Sequence, residues 1–391
     1  MKLNLNKIKT TPKGMPFGFC VYGKPTPEVQ AWASHWNIKE QESGPYTNFI
    51  LPDGLSIEEI FEEAKTYEWV DGFSPNLNKH LHLGHLSNLI IAKAMQSMSV
   101  GKNYIAILGD TLSGQVDKTD ALKKYNEYCQ NFGYNINQLI FASEQKLSND
   151  ILVDGDGEYT GTKIFNINED KVVGIKSDGS TSYFYQDVSL AQKLNAPTLY
   201  LTGFEQVGHF SLLKQLFPHI EHIGLGLVTV DGKKMSSSEG NVIFAEDIFN
   251  QLLDKFSGDE KLVWNVIAGQ ILKSTPNSVK NIDMKQIENV KQSAGLYISY
   301  TMARMWSAGI EYIETDTIED PALLFKSMKA KFNLQPNILF EEVIEHCKKI
   351  NNLYITHKIK DNDANTKLFQ SLTNDLVTTT KKLGLFKINK L

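Results

Sequence analysis

Between Glu68 and Val230 short apolar runs of strand length alternate with segments of helical period. Trp69–Phe73, Tyr104–Leu108, Gln138–Ala142, Thr198–Thr202 and His222–Val230 read as strands. His85–Ser99, Ala121–Phe132 and Val207–Phe217 read as helices, the first with Leu86, Leu89, Ile90, Ala94 and Met98 near helical spacing. Such alternation predicts an α/β, Rossmann-like fold, a parallel sheet with helices on both faces. Ligands of such sheets bind beyond the carboxyl ends of the strands, so residues that follow strands are the candidates for chemistry.

The flanking stretches differ in texture. Asp154–Gly157 and Ser177–Gly179 are turn signals, and they predict a β-rich insertion over about 143–187. From Ala245 onward the pattern is helical without strands, broken by Pro276 and Pro321. Residues 1–68 are mixed, with a helix expected from Ser56 to Tyr67 behind a capping box of Ser56 and Glu59. The expected division is a short N-terminal extension (1–68), a catalytic domain (69–249) and an all-α helical bundle (250–391).

Composition narrows the function classes. Hydrophobic residues make up 41% of the 391, enough for a sizeable core. A net charge of −5 argues against a bulk polyanion binder, while leaving room for a local basic patch. Cys20, Cys129 and Cys347 are scattered and never spaced as C-x-x-C, so neither a disulfide framework nor a thiolate metal site is expected. No apolar run reaches the ~20 residues of a membrane span, and Met1 to Thr11 has no apolar core of a signal peptide. These features point to a soluble protein of the cytoplasmic, reducing compartment.

Two segments carry chemistry. The first runs Ser74-Pro75-Asn76-Leu77-Asn78-Lys79-His80-Leu81-His82-Leu83-Gly84-His85, after a strand and into a helix. A helix N-terminus offers unpaired N–H groups and partial positive charge, which suit phosphate. Gly84 lets a nucleotide approach the backbone, and His82 and His85 can aim donors at phosphoryl oxygens; histidines at a helix start also serve as caps. The second runs from Asp231 through Lys233, Lys234, Met235, Ser236, Ser237 and Ser238 to Asn241, again after a strand. A lysine-led serine loop suits a pyrophosphate that must be gripped and released; a solvated turn has the same composition.

In this order, each after a strand, the two segments resemble the HIGH and KMSKS signatures of class I aminoacyl-tRNA synthetases. S-P-N-x-x-K before H-x-G-H resembles the arginyl-tRNA synthetases in particular. The likeness continues through Gly109-Asp110, Lys176-Ser177-Asp178-Gly179, Gln206 with His209-Phe210, a Y-x-x-Y-x-x-A-R stretch at Tyr297, Tyr300, Ala303 and Arg304, and Leu383-Gly384-Leu385. It implies ATP and Mg2+ as cofactors, arginine and tRNA (tRNA-Arg) as partners, and a helical anticodon-binding bundle. It also implies roles for residues. Asp71 and Asn76 would hold the α-ammonium; Tyr183, Asp187 and Gln206 would hold the guanidinium, whose rigid fork needs planar acceptors. Gly84, Met235, Ser236, Ser237 and Ser238 would contact ATP, with His82, His85, Lys79 and Lys234 catalytic.

Departures are visible too. Asp71 stands where the family has Glu, one methylene shorter, and Ser237 where a second lysine often sits, with Lys79 placed to substitute. Residues 1–68 do not resemble the family's N-terminal tRNA-elbow domain, and the helical region is shorter than usual. Three alternatives stay open: a paralogue that transfers the amino acid to a non-tRNA acceptor, a non-catalytic synthetase-derived module, and a nucleotidyltransferase sharing H-x-G-H. Tyr183 and Asp187, four apart at a helix start, also suit a structural hydrogen-bonding pair.

Overall fold

A computed structural model of the chain describes residues 1–11, 18–76, 81–110, 117–147, 151–234, 244–313, 315–357, 359 and 363–391. These fall into two compact units, Thr66–Ile287 and a second formed by Met1–Lys65 together with Glu288–Leu391.

The second unit begins with β1 (Lys9–Thr10), β2 (Phe19–Tyr22), α1 (Pro27–His35), β3 (Lys39–Ser43), β4 (Tyr46–Ile50) and α2 (Ile57–Ile60). The strands pair antiparallel in the order β1-β2-β4-β3. Thr26 caps α1 through its side chain, and Pro27 sits at the first helical position, where a missing N–H costs nothing. The helix expected from Ser56 is much shorter than the sequence suggests. Ser56 Oγ accepts from Glu58 N at 3.2 Å, but Phe61 turns extended and buries its ring beside Phe19, Trp32 and Phe325. Glu62 N then donates to Leu3 O. Aromatic burial and a long-range backbone pairing override the local helical period.

The first unit carries β5 (Tyr67–Asp71), α3 (Leu83–Ser97), β6 (Gly101–Leu108), α4 (Lys118–Asn131) and β7 (Gln138–Phe141). Then come β8 (Val153–Asp154), β9 (Lys163–Ile167), β10 (Asp170–Ile175) and α5 (Tyr183–Leu194). β11 (Thr198–Gly203), α6 (Val207–Leu216), β12 (Ile220–Leu225), β13 (Val228–Val230) and β14 (Lys233–Lys234) follow. α7 (Ala245–Lys255), α8 (Glu260–Leu272) and β15 (Lys280–Ile282) close the unit. A parallel sheet runs in the order β12-β11-β5-β6-β7. Chain order reverses between β5 and β11, which opens a crevice at their carboxyl ends. β11 is buried along most of its length, as expected of a central strand covered on both faces. α5 and α6 share a core with Ile105, Ile107, Ile140, Tyr200 and Ile220. α3 packs on β6 and β11 and against α7 and α8. The insertion is β-rich as expected, with β10-β9-β8 antiparallel.

Two strand assignments change. The run expected to be one strand from His222 to Val230 divides at Gly226 into β12 and β13, which belong to different sheets. A Cβ on Gly226 would lie 1.9 Å from Ser278 O, so the chain can turn there only against bare backbone. The region after Ala245 is not purely helical, because β15 pairs in parallel with β13.

Glu288–Leu391 supplies α9 (Ala294–Ser307), α10 (Pro321–Asn333), α11 (Pro336–Thr356) and α12 (Asp363–Lys382). Asp320 caps α10, and buried Asp375 accepts from Glu319 N and Asp320 N to hold that turn. Phe325 of α10 packs into the aromatic core of the N-terminal sheet. The compact units thus group the chain differently from the three-part expectation: α7 and α8 lie with the parallel sheet, and residues 1–65 lie with α9–α12. Among the described residues no helix is long and apolar enough to cross a membrane.

Candidate active site

A cavity of about 660 Å3 opens where β5 and β11 end. Its lining includes Asp71 at the end of β5, Asn76 beyond it, His82, Gly84 and His85 at the start of α3, Tyr183 and Asp187 on the first turns of α5, and Gln206 at the start of α6. Eight residues singled out from the sequence therefore share one space. Lys79, Met235, Ser236, Ser237 and Ser238 lie outside the described residues, as does the side chain of Lys234, whose backbone belongs to β14.

The start of α3 is built from its own histidines. His82 caps the helix by accepting from Gly84 N at its Nδ1, 3.1 Å away, and His85 Nδ1 accepts from His82 N at 3.2 Å. The rings stack with centroids 3.8 Å apart. An Nδ1 that accepts a backbone N–H leaves the ring hydrogen on Nε2, so each neutral histidine is held in one tautomer with its remaining donor on the far side of the ring. A Cβ on Gly84 would come within 2.9 Å of His82 Cε1. Capping through Nδ1 is thus compatible with a donor role at Nε2 of the same side chains. The exit of the second signature segment is tied to this turn: Phe244 bridges His82, and Ala245 N donates to Leu81 O at 3.0 Å. Leu225, Gly226, Leu227 and Val228, which lead toward that segment, line the same cavity.

The other end is acidic. Asp71 is 5% exposed, and burial lifts its carboxyl up to about 7; the Ser74 hydroxyl works against this, and the charge of Asp187 adds to it. Ser74 Oγ donates to Asp71 Oδ1 at 2.5 Å and accepts from Ile107 N at 2.9 Å, which locks the carboxylate to the neighbouring strand. Asp187 accepts from His209 Nε2 at 2.6 Å. Among the described residues, buried Asn76 Oδ1 has no hydrogen-bond partner, and it rests against Gly109, where a Cβ would sit 3.1 Å away. A buried acceptor left open is costly unless a ligand donates to it. Glu205, which the sequence reading did not single out, joins Asp71 and Asp187 on the lining, and among the described lining residues there is neither lysine nor arginine. Three carboxyl groups thus gather at one end of the cavity, where cationic groups would be met.

Ser74, Glu205 and the partner of Asp187 were the residues the sequence did not assign. Ser74 and His209 stood in the quoted segments without a role of their own, and Glu205 carried one signal, its place just after β11. Asp110, noted after β6, is a structural anchor: it pairs with Lys118 at 2.8 Å and accepts from Ser143 N and Oγ. Arg304 of the Y-x-x-Y-x-x-A-R stretch donates to Asn351 Oδ1 and lies 4.2 Å over the Tyr354 ring.

No family model matches the chain. Its curated relatives include an arginine–tRNA ligase of Lactobacillus johnsonii, 26% identical over 285 residues, covering 59% of this chain and 50% of that protein. The arginine–tRNA ligase of Ligilactobacillus salivarius is 22% identical over 88% of this chain and 85% of its own. The chain thus spans about half the length of the first of these relatives. Among solved structures, the arginyl-tRNA synthetase of Thermus thermophilus matches with a TM-score of 0.67 at 14% identity, covering 98% of this chain and 96% of that one. That of Plasmodium falciparum matches with a TM-score of 0.62 at 16% identity over 90% and 86%. The chain is arginyl-synthetase-like in sequence and has the fold of those enzymes. The fold likeness reaches beyond the signatures, into the N-terminal sheet of residues 1–65.

Proposed function

We propose, taking the arginyl-tRNA synthetase fold as the premise, that this chain activates arginine with ATP and transfers it to the terminal ribose of a tRNA. The observation that carries this reading is one cavity with a carboxylate-lined end and a helix N-terminus bearing two oriented histidines. Arginine presents two cationic groups and one carboxylate, and the acidic end accommodates the first two. Asp71 and the open Asn76 Oδ1 receive the α-ammonium, while Asp187, Tyr183 and Gln206 receive the guanidinium. The arginine carboxylate then attacks the α-phosphorus of ATP in line, and the P–O bond to pyrophosphate breaks. Gly84 admits the nucleotide, and His82 Nε2, His85 Nε2 and the α3 N-terminus stabilise charge growing on phosphate oxygens. Lys79, Lys234 and the serines after Met235 supply the grip on pyrophosphate in this reading. A ribose hydroxyl of tRNA next attacks the adenylate carbonyl and AMP leaves. α9–α12, with Tyr297, Tyr300 and Arg304 on α9, are the proposed tRNA-facing helices.

Among the described residues no group of three His, Cys, Asp or Glu side chains is placed to hold a metal ion. Mg2+, brought with the nucleotide, would offset charge on its phosphates beside His82 and His85 in this scheme. The decisive experiment is aminoacylation of total tRNA with each of the twenty amino acids, alongside ATP–pyrophosphate exchange with and without tRNA. Arginine should be the substrate, and lysine a poor one, because a point-charge ammonium does not fill a fork-shaped site. Brisk exchange with arginine but no charging of tRNA would transfer the assignment to the non-tRNA paralogue. Inactivity with every amino acid would leave a binding module.

A further inference from the structure

We infer that His209 is a positioning residue for the guanidinium-binding carboxylate, aiming Asp187 and thereby setting the affinity for arginine. The inference rests on the assignment of Asp187 to the guanidinium. A carboxylate accepts, so the 2.6 Å contact is a donation from His209 Nε2 to Asp187 Oδ2. That bond occupies one oxygen and restricts rotation about the carboxyl torsion, leaving Oδ1 to meet the substrate in a defined direction. Asp187 lies on α5 and His209 on α6, so the bond also ties together the two helices that carry Tyr183 and Gln206. Gln206 and His209, three residues apart, face the same side of the chain as it enters α6.

His209 is itself braced. Its ring meets Phe184 edge-on, with centroids 5.1 Å apart at 76°. The next residue, Phe210, stacks on His222 at 4.4 Å, and His222 is bonded to Thr202 at the end of β11 at 2.8 Å. Both side chains keep about a fifth of their surface, 23% and 18%, and both line the cavity, where a ligand can reach them.

The test is steady-state aminoacylation with arginine and ATP varied separately. The panel comprises the unmodified protein, His209→Leu, His209→Gln, His209→Asn, Asp187→Ala and the Asp187→Ala/His209→Leu double variant, with melting curves on each. His209→Leu should raise the KM for arginine roughly 10- to 100-fold, the range of a lost hydrogen bond to a charged group. kcat and the KM for ATP should stay within about three-fold. Gln, whose amide nitrogen reaches as far as Nε2, should restore most of the affinity, whereas the shorter Asn should not. This comparison of two amides stands even if the leucine variant folds poorly. In the Asp187→Ala background His209→Leu should add little, because the group it aims is gone. An unchanged arginine KM in His209→Leu, equal behaviour of Gln and Asn, or full additivity in the double variant would overturn the inference. If Asp187→Ala itself leaves arginine use intact, the guanidinium assignment falls and the inference falls with it. Loss in Asp187→Ala with none in His209→Leu removes the role of His209 alone.

Discussion

At the scale of single residues the site stores an unfavourable charge. Burial holds the Asp71 carboxyl up to about 7, against 3.8 for its ordinary value. The native state therefore binds more protons than the unfolded chain between those values, and this group makes stability fall as pH rises through the window and stay lower above it. Asp71→Asn removes the penalty. Thermal melts at about pH 8 should show a variant more stable by roughly 2–4 kcal/mol, with the advantage gone near pH 4. His222 acts with the opposite sign. Burial, helped by His209, holds its imidazole down to about 4, so its contribution is lost as pH falls from 6.5 toward 4. In Asp71→Asn the slopes of His222 and of His346, which burial also holds below its ordinary value, should remain, with stability rising between about pH 4 and 6.5; a flat profile there would contradict the burial of neutral imidazoles. Asp187→Ala should cut arginine use by two or more orders of magnitude, since removing one partner of a buried ionic contact costs roughly 3–5 kcal/mol. The assay is arginine-dependent charging, and unchanged use would remove Asp187 from the site. None of these protonation states can be read from residue type; they follow from what surrounds each group.

At the scale of elements, the parallel strands and their helices lie close to where hydrophobic period placed them. The failures occur where a tertiary contact outweighs local pattern, at Phe61, Gly226 and β15. The first turn of α3 caps its helix and, in the proposed reading, also serves the nucleotide, and substitutions can separate the two. His82→Ala removes cap and donor together and should lose about 1 kcal/mol of stability as well as adenylate formation. His82→Asn supplies a good cap without the ring donor, so its melting temperature should stay near that of the unmodified protein while activity remains low. Equal stability of the two variants would mean that the cap contributes nothing. Gly226→Ala places a Cβ 1.9 Å from Ser278 O, which the backbone can relieve only by moving β13 away from β15. The expected cost is at least roughly 2–3 kcal/mol, measured by denaturant midpoint at constant slope. A neutral effect would show that this junction is looser than its geometry.

At the scale of the whole molecule, the two ends of the chain make one compact unit. Phe325 is fully buried among Phe19, Phe49, Trp32 and Phe61, and its ring lies 4.9 Å from Phe19 and 5.3 Å from Phe61. Phe325→Ala should cost roughly 3–5 kcal/mol. Hydrogen exchange should then accelerate in β2 and β4 as well as in α10, with β5 and β11 of the parallel sheet protected as before. Acceleration confined to α10 would show that the N-terminal sheet holds its core without the helix.

The sequence by itself determined the parallel sheet, the helices over it, the start of α3 and the place of the acidic and histidine residues after strands. Period, turn chemistry and capping act over a few residues, and a single chain displays them directly. Only the tertiary structure decided what those residues do to one another. It joined residues 1–65 to a helix some 260 positions away, found a parallel partner for the three residues of β15, and placed Asp71, Ser74 and Ile107 in one hydrogen-bonded line. It also turned His209 toward Asp187. Desolvation and contact across distant segments set these features, and neither leaves a local pattern to read.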